Sequence, residues 1–246
     1  MATLSLLSSL QQSPYFDDYD ETKKFLRMLF QPGVSLQVRE LTQLQTILQN
    51  QISRLGDSFY KDGSIVTGGQ INLNTNVSYI RLASTETASI FANQKIQLSG
   101  ADTITFDVIT TVEAEGSDAP VLIGVYSGSD TITTTSATIH IAGSTGISAQ
   151  TADAGTITGD GSIASISAGI YYINGFFVTV DAQTIVLEKF ATTPSYKVGL
   201  TITESITNNV ADSSLLDNAS GSFNVNAPGA NRYKIALILG KKSLTT

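Results

Sequence analysis

The sequence predicts a mainly β protein with an N-terminal α-helical segment. It reads as elongated, with one long helix suited to a short coiled coil and then two small antiparallel β modules. Three observations predict this. Apolar residues recur at helical spacing over residues 34–55, the period changes to two from Ser58 onward, and Asn174-Gly175 sits between two aromatic runs.

Residues 1–33 read as an entry segment. Leu4, Leu6, Leu7 and Leu10 are interrupted by Ser and Gln, enough for a short amphipathic turn at most. Asp20 is placed to cap a short helix over residues 22–30, with Glu21 in its first turn. Phe25, Leu26, Met28, Leu29 and Phe30 give that helix a broad apolar side, and Pro32-Gly33 ends it. Tyr15, Phe16, Phe25, Leu29 and Phe30 are the candidate residues for docking on a partner protein.

Residues 34–56 carry the clearest helical period. Val34, Val38, Leu41, Leu44, Leu48, Ile52 and Leu55 lay one apolar stripe along a helix of about six turns, with Gly56 as its expected stop. Val34, Leu41, Leu48 and Leu55 recur every seven residues, as a coiled-coil seam between identical chains requires. An ordinary helix lying on its own domain's core is the other reading of the same stripe. Either way the stripe needs a covering surface, because an isolated helix of this length is marginal in water.

Residues 57–168 read as one β-rich module. Ile104, Phe106 and Val108 alternate with Thr105 and Asp107, and the apolar runs at 121–126 and 137–141 are further strands, with turn-formers at 127–130. Residues 143–169, rich in Gly, Ser, Ala and Thr, read as irregular strand and connector. Residues 169–246 read as a second β module. Its Asn-Gly hairpin spans 170–180, and strands follow at 184–187, 198–206 and 233–239. Joining the last two is a segment of some 25 residues, about twice the length at which unstructured loops become rare, with a helical turn expected near 213–217.

Composition narrows the chemistry. Against 21 Asp and Glu stand 14 Lys and Arg, a net charge of −7, which speaks against a nucleic-acid partner. Charged residues make up 14%, against roughly 25% in an average soluble domain. The absence of Cys removes disulfides, zinc-thiolate sites and thiol nucleophiles, and a single His, His140, leaves one imidazole. His140 alternates with Ile139 and Ile141 and is expected to face solvent. Asp102 with Asp107, or Glu113 with Glu115, are the carboxylate pairs available to a glycosidase. Asp153 and Asp160 are weak calcium candidates, since the spaced ligands of an EF-hand loop are absent. Gly68-Gly69 precedes neither Lys-Ser nor a helix, so no phosphate loop is expected. No cofactor, no metal, no membrane span and no catalytic residue is expected.

Two blocks of sequence carry a resemblance. The first runs from Tyr15-Phe16-Asp17-Asp18-Tyr19-Asp20 through Lys23-Lys24-Phe25, Leu29-Phe30-Gln31-Pro32-Gly33 and Arg39-Glu40-Leu41-Thr42-Gln43-Leu44-Gln45. It continues through Gln49-Asn50-Gln51-Ile52 to Lys61-Asp62-Gly63-Ser64. The second holds residues 169–180, Thr193-Pro194-Ser195-Tyr196, residues 199–205, 214–219 and 227–230, and Arg232-Tyr233-Lys234-Ile235. Together they resemble structural tail proteins of contractile-tailed bacteriophages, including cyanophages, which serve as baseplate or fibre-attachment components. Residues 81–168 fit less well and read as a variable β insertion. Many members of that family run on into further fibre modules, so an end at Thr246 departs from the pattern.

The resemblance implies a virion structural role, assembly in the bacterial host cytoplasm and a homotrimer, and it carries no catalytic residue across. The function expected is a tail baseplate component or fibre adaptor that trimerises through Val34, Val38, Leu41, Leu44, Leu48, Ile52 and Leu55 and docks on other tail proteins. A bacterial surface or appendage subunit is one alternative. The other is a glycan-binding or depolymerase tail protein acting on host surface glycan, with Tyr126 among its candidate aromatics.

Overall fold

Where the apolar period changes from helical to alternating, the chain passes from its one long helix into strands. The computed structural model describes residues 10–98, 101–116, 118–127, 138–141, 150–151 and 159–244. The protein is mainly β, with one helix near the N-terminus and antiparallel sheets. It divides into two compact units. One comprises Met1–Gln70, Ser167–Ala182 and Leu200–Ile238, and the other Ile71–Ile166, Gln183–Gly199 and Leu239–Thr246.

In the first unit, Asp20 caps as expected, its carboxylate accepting from the Thr22 amide at 2.9 Å. The helix expected over 22–30 does not form. Only one 3-10 turn, Glu21–Lys23, is present, because Lys24 takes a left-handed φ of 58° and closes it. The chain then runs without regular structure to helix α1, Val38–Phe59. Strand β1, Ile65–Gly68, pairs antiparallel with β9, Gly169–Ile173, which turns back into β10, Phe176–Val180. Asn174 and Gly175 have φ of 51° and 85°, the pair of positive values that the Asn-Gly signal predicts for a tight hairpin.

In the second unit, eight strands form one antiparallel sheet. They are β2 (Ile71–Arg81), β3 (Lys95–Leu98), β4 (Ala101–Val112), β5 (Val121–Ser127), β6 (Thr138–Ile141), β7 (Gln150–Thr151), β8 (Gly159–Ile166) and β11 (Gln183–Glu188). Their order is β11-β8-β2-β5-β4-β3-β6-β7. Central strand β5 is buried on both faces, as alternation of side chains across a strand allows. Leu122 packs with Ile80, Leu82, Phe91, Phe106 and Ile139, while Val121 and Ile123 pack with Val77, Tyr79 and Ile163. The strands expected at 104–108, 121–126 and 137–141 are present in this sheet.

Residues 159–166, expected as irregular strand and connector, form a regular strand lying between β2 and β11. Small side chains hide the alternation there, yet Ile163, Ala164 and Ile166 are buried. Gly159, Asp160 and Gly161 are part of that strand. Strand β11 joins this sheet rather than the hairpin that precedes it.

Two long strands, β12 (Tyr196–Thr207) and β13 (Arg232–Ser243), form a two-stranded ladder. The long segment between them holds the expected turn as a 3-10 turn, Ser213–Leu215. Past that turn it closes on itself: Asp217 N donates to Ala227 O at 2.9 Å, Asn226 N to Asp217 O at 2.8 Å and Gly229 N to Leu215 O at 3.1 Å.

Glu113 has a structural task in the second unit. Its carboxylate accepts from the amides of Ala88 at 3.1 Å and Ser89 at 2.6 Å, at the start of the 3-10 turn Ser89–Phe91. Partial burial pushes its pKa up, but the hydrogen bonds from Ser89 and Ala88 outweigh that and hold it below the usual 4.5. A carboxyl whose folded pKa is lowered adds stability above its unfolded pKa, and that stability is lost as pH falls through the folded value. Glu113→Gln is therefore expected to lower Tm at neutral pH and to flatten the acid limb of Tm against pH, read by thermal denaturation between pH 7 and about 3.

Candidate assembly surface

Helix α1 begins four residues later than expected and ends four residues later. Val34 lies outside it, in the turn after Gly33, whose φ is 83°. The first turn forms where Glu40 reaches back, its carboxylate accepting from the Gln37 amide at 3.0 Å. Gly56 does not stop the helix. A Cβ there would lie 2.4 Å from a ring carbon of Tyr172, so the glycine is the gap that lets the hairpin tyrosine lie against α1.

The face α1 turns toward its own chain is the polar one. Gln43 and Ile47 are buried, and around them run contacts from residues 39, 46, 49, 50, 53, 54 and 57. Arg39 pairs with Asp18 at 3.4 Å, Arg54 pairs with Glu21, the Thr46 hydroxyl donates to Asp17 and the Asn50 amide donates to Tyr19. Gln49 Nε2 donates to the Gly175 carbonyl at 2.7 Å, at the tip of the hairpin. The Tyr172 hydroxyl lies 2.8 Å from both the Ser53 carbonyl and an Asp57 carboxylate oxygen. Tyr60, Tyr172 and Phe177 complete this side as a ring cluster with centroids 5.3–5.9 Å apart.

The apolar residues point the other way. Val38 is 76% exposed, Leu48 55%, Leu55 62% and Phe59 74%, with Leu41 and Ile52 exposed as well. Of the seven residues expected in the stripe, Val38, Leu41, Leu48, Ile52 and Leu55 share this outward face. Leu44 is turned aside and half-buried, and Val34 is exposed but non-helical. Gln45 and Phe59, missed in the sequence, complete the face. Counted from Val38 the signal was available, since residues 38, 41, 45, 48, 52, 55 and 59 alternate by three and four.

The docking candidates lie in the stretch before the helix. Phe16, Phe25, Leu29 and Phe30 are exposed, and Leu26 and Leu36 with them. Tyr15 is partly covered, its hydroxyl accepting from Asn231 Nδ2 at 2.6 Å.

The chemical candidates are scattered. Asp107 is exposed and pairs with Lys95 at 3.7 Å, Glu113 is committed to the 88–89 amides, and Glu115 bridges to Asp118 through the backbone. Asp160 is exposed, while Asp153 and the side chains of Asp102, Tyr126 and His140 lie outside the described residues. Among the described residues no group of His, Asp and Glu could hold a metal ion, and no helix is long and apolar enough to cross a membrane. A cleft of about 510 Å³ in the second unit is lined by Val112, Phe190, Tyr196 and Lys241 among others. Its polar groups serve one another. Tyr196 donates to Glu188 at 2.8 Å, and Lys241 donates to the Leu187 carbonyl at 2.6 Å beneath a cation–π contact with the Tyr196 ring.

Two expectations follow for the inward face. Gly56→Ala, which in an exposed helix would stabilise by ~1 kcal/mol, is expected here to lower Tm, because overpacking against Tyr172 costs about 1–3 kcal/mol. Thermal unfolding of the two proteins checks it. Burial first, and then the hydrogen bond to Asp57, raise the Tyr172 pKa above its usual 10. A raised tyrosine pKa adds stability that is present below the unfolded value and lost as pH rises through the folded one. Stability is thus expected to fall above pH 10, less steeply in Tyr172→Phe, as followed by denaturant titration at stepped alkaline pH.

No curated protein and no solved structure matches this chain. A family model described as a domain of unknown function, DUF4815, matches residues 13–155 and 146–245. With nearly its whole length matched in those two overlapping pieces, the chain belongs to the DUF4815 family.

Proposed function

We propose that this protein is a structural, non-enzymatic component of a bacteriophage tail, a baseplate part or fibre adaptor that assembles with copies of itself as a trimer and docks on other tail proteins. One observation carries the reading: α1 makes its intrachain contacts through its polar arc and, among the described residues, leaves Val38, Leu41, Leu48, Ile52, Leu55 and Phe59 exposed. Covering such half-exposed side chains is worth roughly 1–2 kcal/mol each, and a row of six favours association strongly. The exposed aromatics at Phe25 and Phe30 supply a second apolar surface for a neighbouring tail protein. The ordered likeness of both ends of the chain to tail proteins supplies the virion setting.

A dimer is the second reading, favoured by the seam itself. Val38 and Ile52 alternate with Leu41, Leu48 and Leu55, the β-branched and Leu arrangement that suits two parallel strands.

Leu41→Asp with Leu48→Asp is expected to give a folded monomer where the native chain is an oligomer, because both side chains lie on the outward face. Native mass and sedimentation, with far-UV circular dichroism as the check on folding, decide it. A native chain that sediments as a monomer, or a double variant that keeps the native mass, overturns the self-assembly. Native mass after mixing with purified baseplate proteins tests the docking.

A further inference from the structure

We infer that the outward seam of α1 packs against the same seam of a second copy of this chain, parallel and in register, with the Gln45 side chains meeting inside it. This rests on the self-assembling reading above and goes further by setting direction and register.

The spacing of the seam favours a copy over an unrelated partner. Residues 38, 41, 45, 48, 52, 55 and 59 alternate by three and four through the whole 22-residue helix, an average period of 3.5. Another helix repeating at the same period stays in contact with such a row along its entire length. A flat or irregular protein surface sets no such period.

Charge points the same way. The residues flanking the seam are Gln37, Leu44, Gln51 and Ser58 on one side and Thr42, Gln49 and Gly56 on the other, none of them ionised. Of the helix's charged side chains, Arg54 is turned to Glu21 and Asp57 to Tyr172, while in the first turn Arg39 is held by Asp18 and the Gln37 side chain and Glu40 by the Gln37 amide. Identical helices therefore approach in parallel with no like charges face to face, an obstacle that a copy would otherwise meet at every turn.

Gln45 decides the direction. It is the only polar residue in the seam. In a parallel, in-register pair each Gln45 amide meets another, donor to acceptor, and both are satisfied. In the centred antiparallel alignment Gln45 faces Ile52, and an amide is buried without a partner. The parallel arrangement is thus the one the polar position selects.

The chain has no cysteine, so Gln45→Cys and, separately, Leu48→Cys each introduce its sole thiol. Under mild oxidation each variant is expected to form a covalent pair on a non-reducing gel, reversed by reductant. A two-chain seam pairs nearly all chains, whereas a three-chain seam pairs about two-thirds and leaves the third thiol over. An antiparallel seam would hold the two introduced thiols of Gln45→Cys about 10 Å apart along the axis, beyond the roughly 7 Å that a disulfide spans between Cα atoms. It would instead join Gln45→Cys to Ile52→Cys when the two are combined, and, with residue 48 then facing residue 49, it would also pair Leu48→Cys, so Gln45→Cys is the variant that reads direction. Native mass of the reduced variants separates the failures. An oligomer in which Gln45→Cys forms no disulfide overturns the parallel register and leaves self-assembly standing, while a monomer overturns both.

Discussion

A helix has one circumference, and the arc it gives to its own chain is unavailable to anything else. In most surface helices the arc turned inward is apolar and the polar arc meets water. Helix α1 reverses this. Its inward arc is Gln43, Thr46, Asn50, Ser53, Arg54 and Asp57, gathered around Ile47, and its outward arc is a row of Val, Leu, Ile and Phe. Hydrogen bonds contribute only about 1 kcal/mol each once the loss of water contacts is counted, but they are directional. The bonds from Gln49 to the Gly175 carbonyl and from Tyr172 to Ser53 locate the helix on the hairpin at one rotation, and that rotation sends the apolar row outward.

Other parts of the first unit follow from the same rotation. Asp17, Asp18, Tyr19 and Glu21 meet the helix through its polar arc, so the N-terminal stretch is held by charge and hydrogen bonding as far as the 3-10 turn. Beyond Lys24 those partners end, and Phe25, Leu26, Leu29 and Phe30 lie open. The long segment between β12 and β13 behaves differently. Its backbone bonds join residues 215–217 to 226–229, so its closure is internal.

How much was legible depended on how local each cause was. The Asn174-Gly175 hairpin was plain because its requirement, two positive φ values in succession, is met within the pair itself. The alternation of β4 and the continuous apolar run of β5 were plain for a similar reason, whereas β8 was not, because Gly, Ser and Ala carry no pattern to read. The helix was visible but its end was misplaced, since Gly56 has the look of a stop and acts as a recess for Tyr172, 116 positions further along the chain. Which arc of α1 turns inward depends on the same distant tyrosine and on Gly175. Leu44 therefore entered the expected stripe while Gln45 was passed over. The helix expected at 22–30 is cut short at Lys24, whose left-handed backbone, one that no propensity would assign to lysine, closes the 3-10 turn.

The distance between α1 and the hairpin along the chain has a bearing on how the protein is made. The ribosome finishes residue 59 about 120 residues before it finishes the hairpin at 180, an interval of roughly 6–24 s at ordinary rates of synthesis. Throughout that interval the nascent helix has neither its tyrosine nor its turn to rest on. Neighbouring ribosomes on one message hold such unfinished segments side by side, so chains of the same parentage meet before any of them is complete.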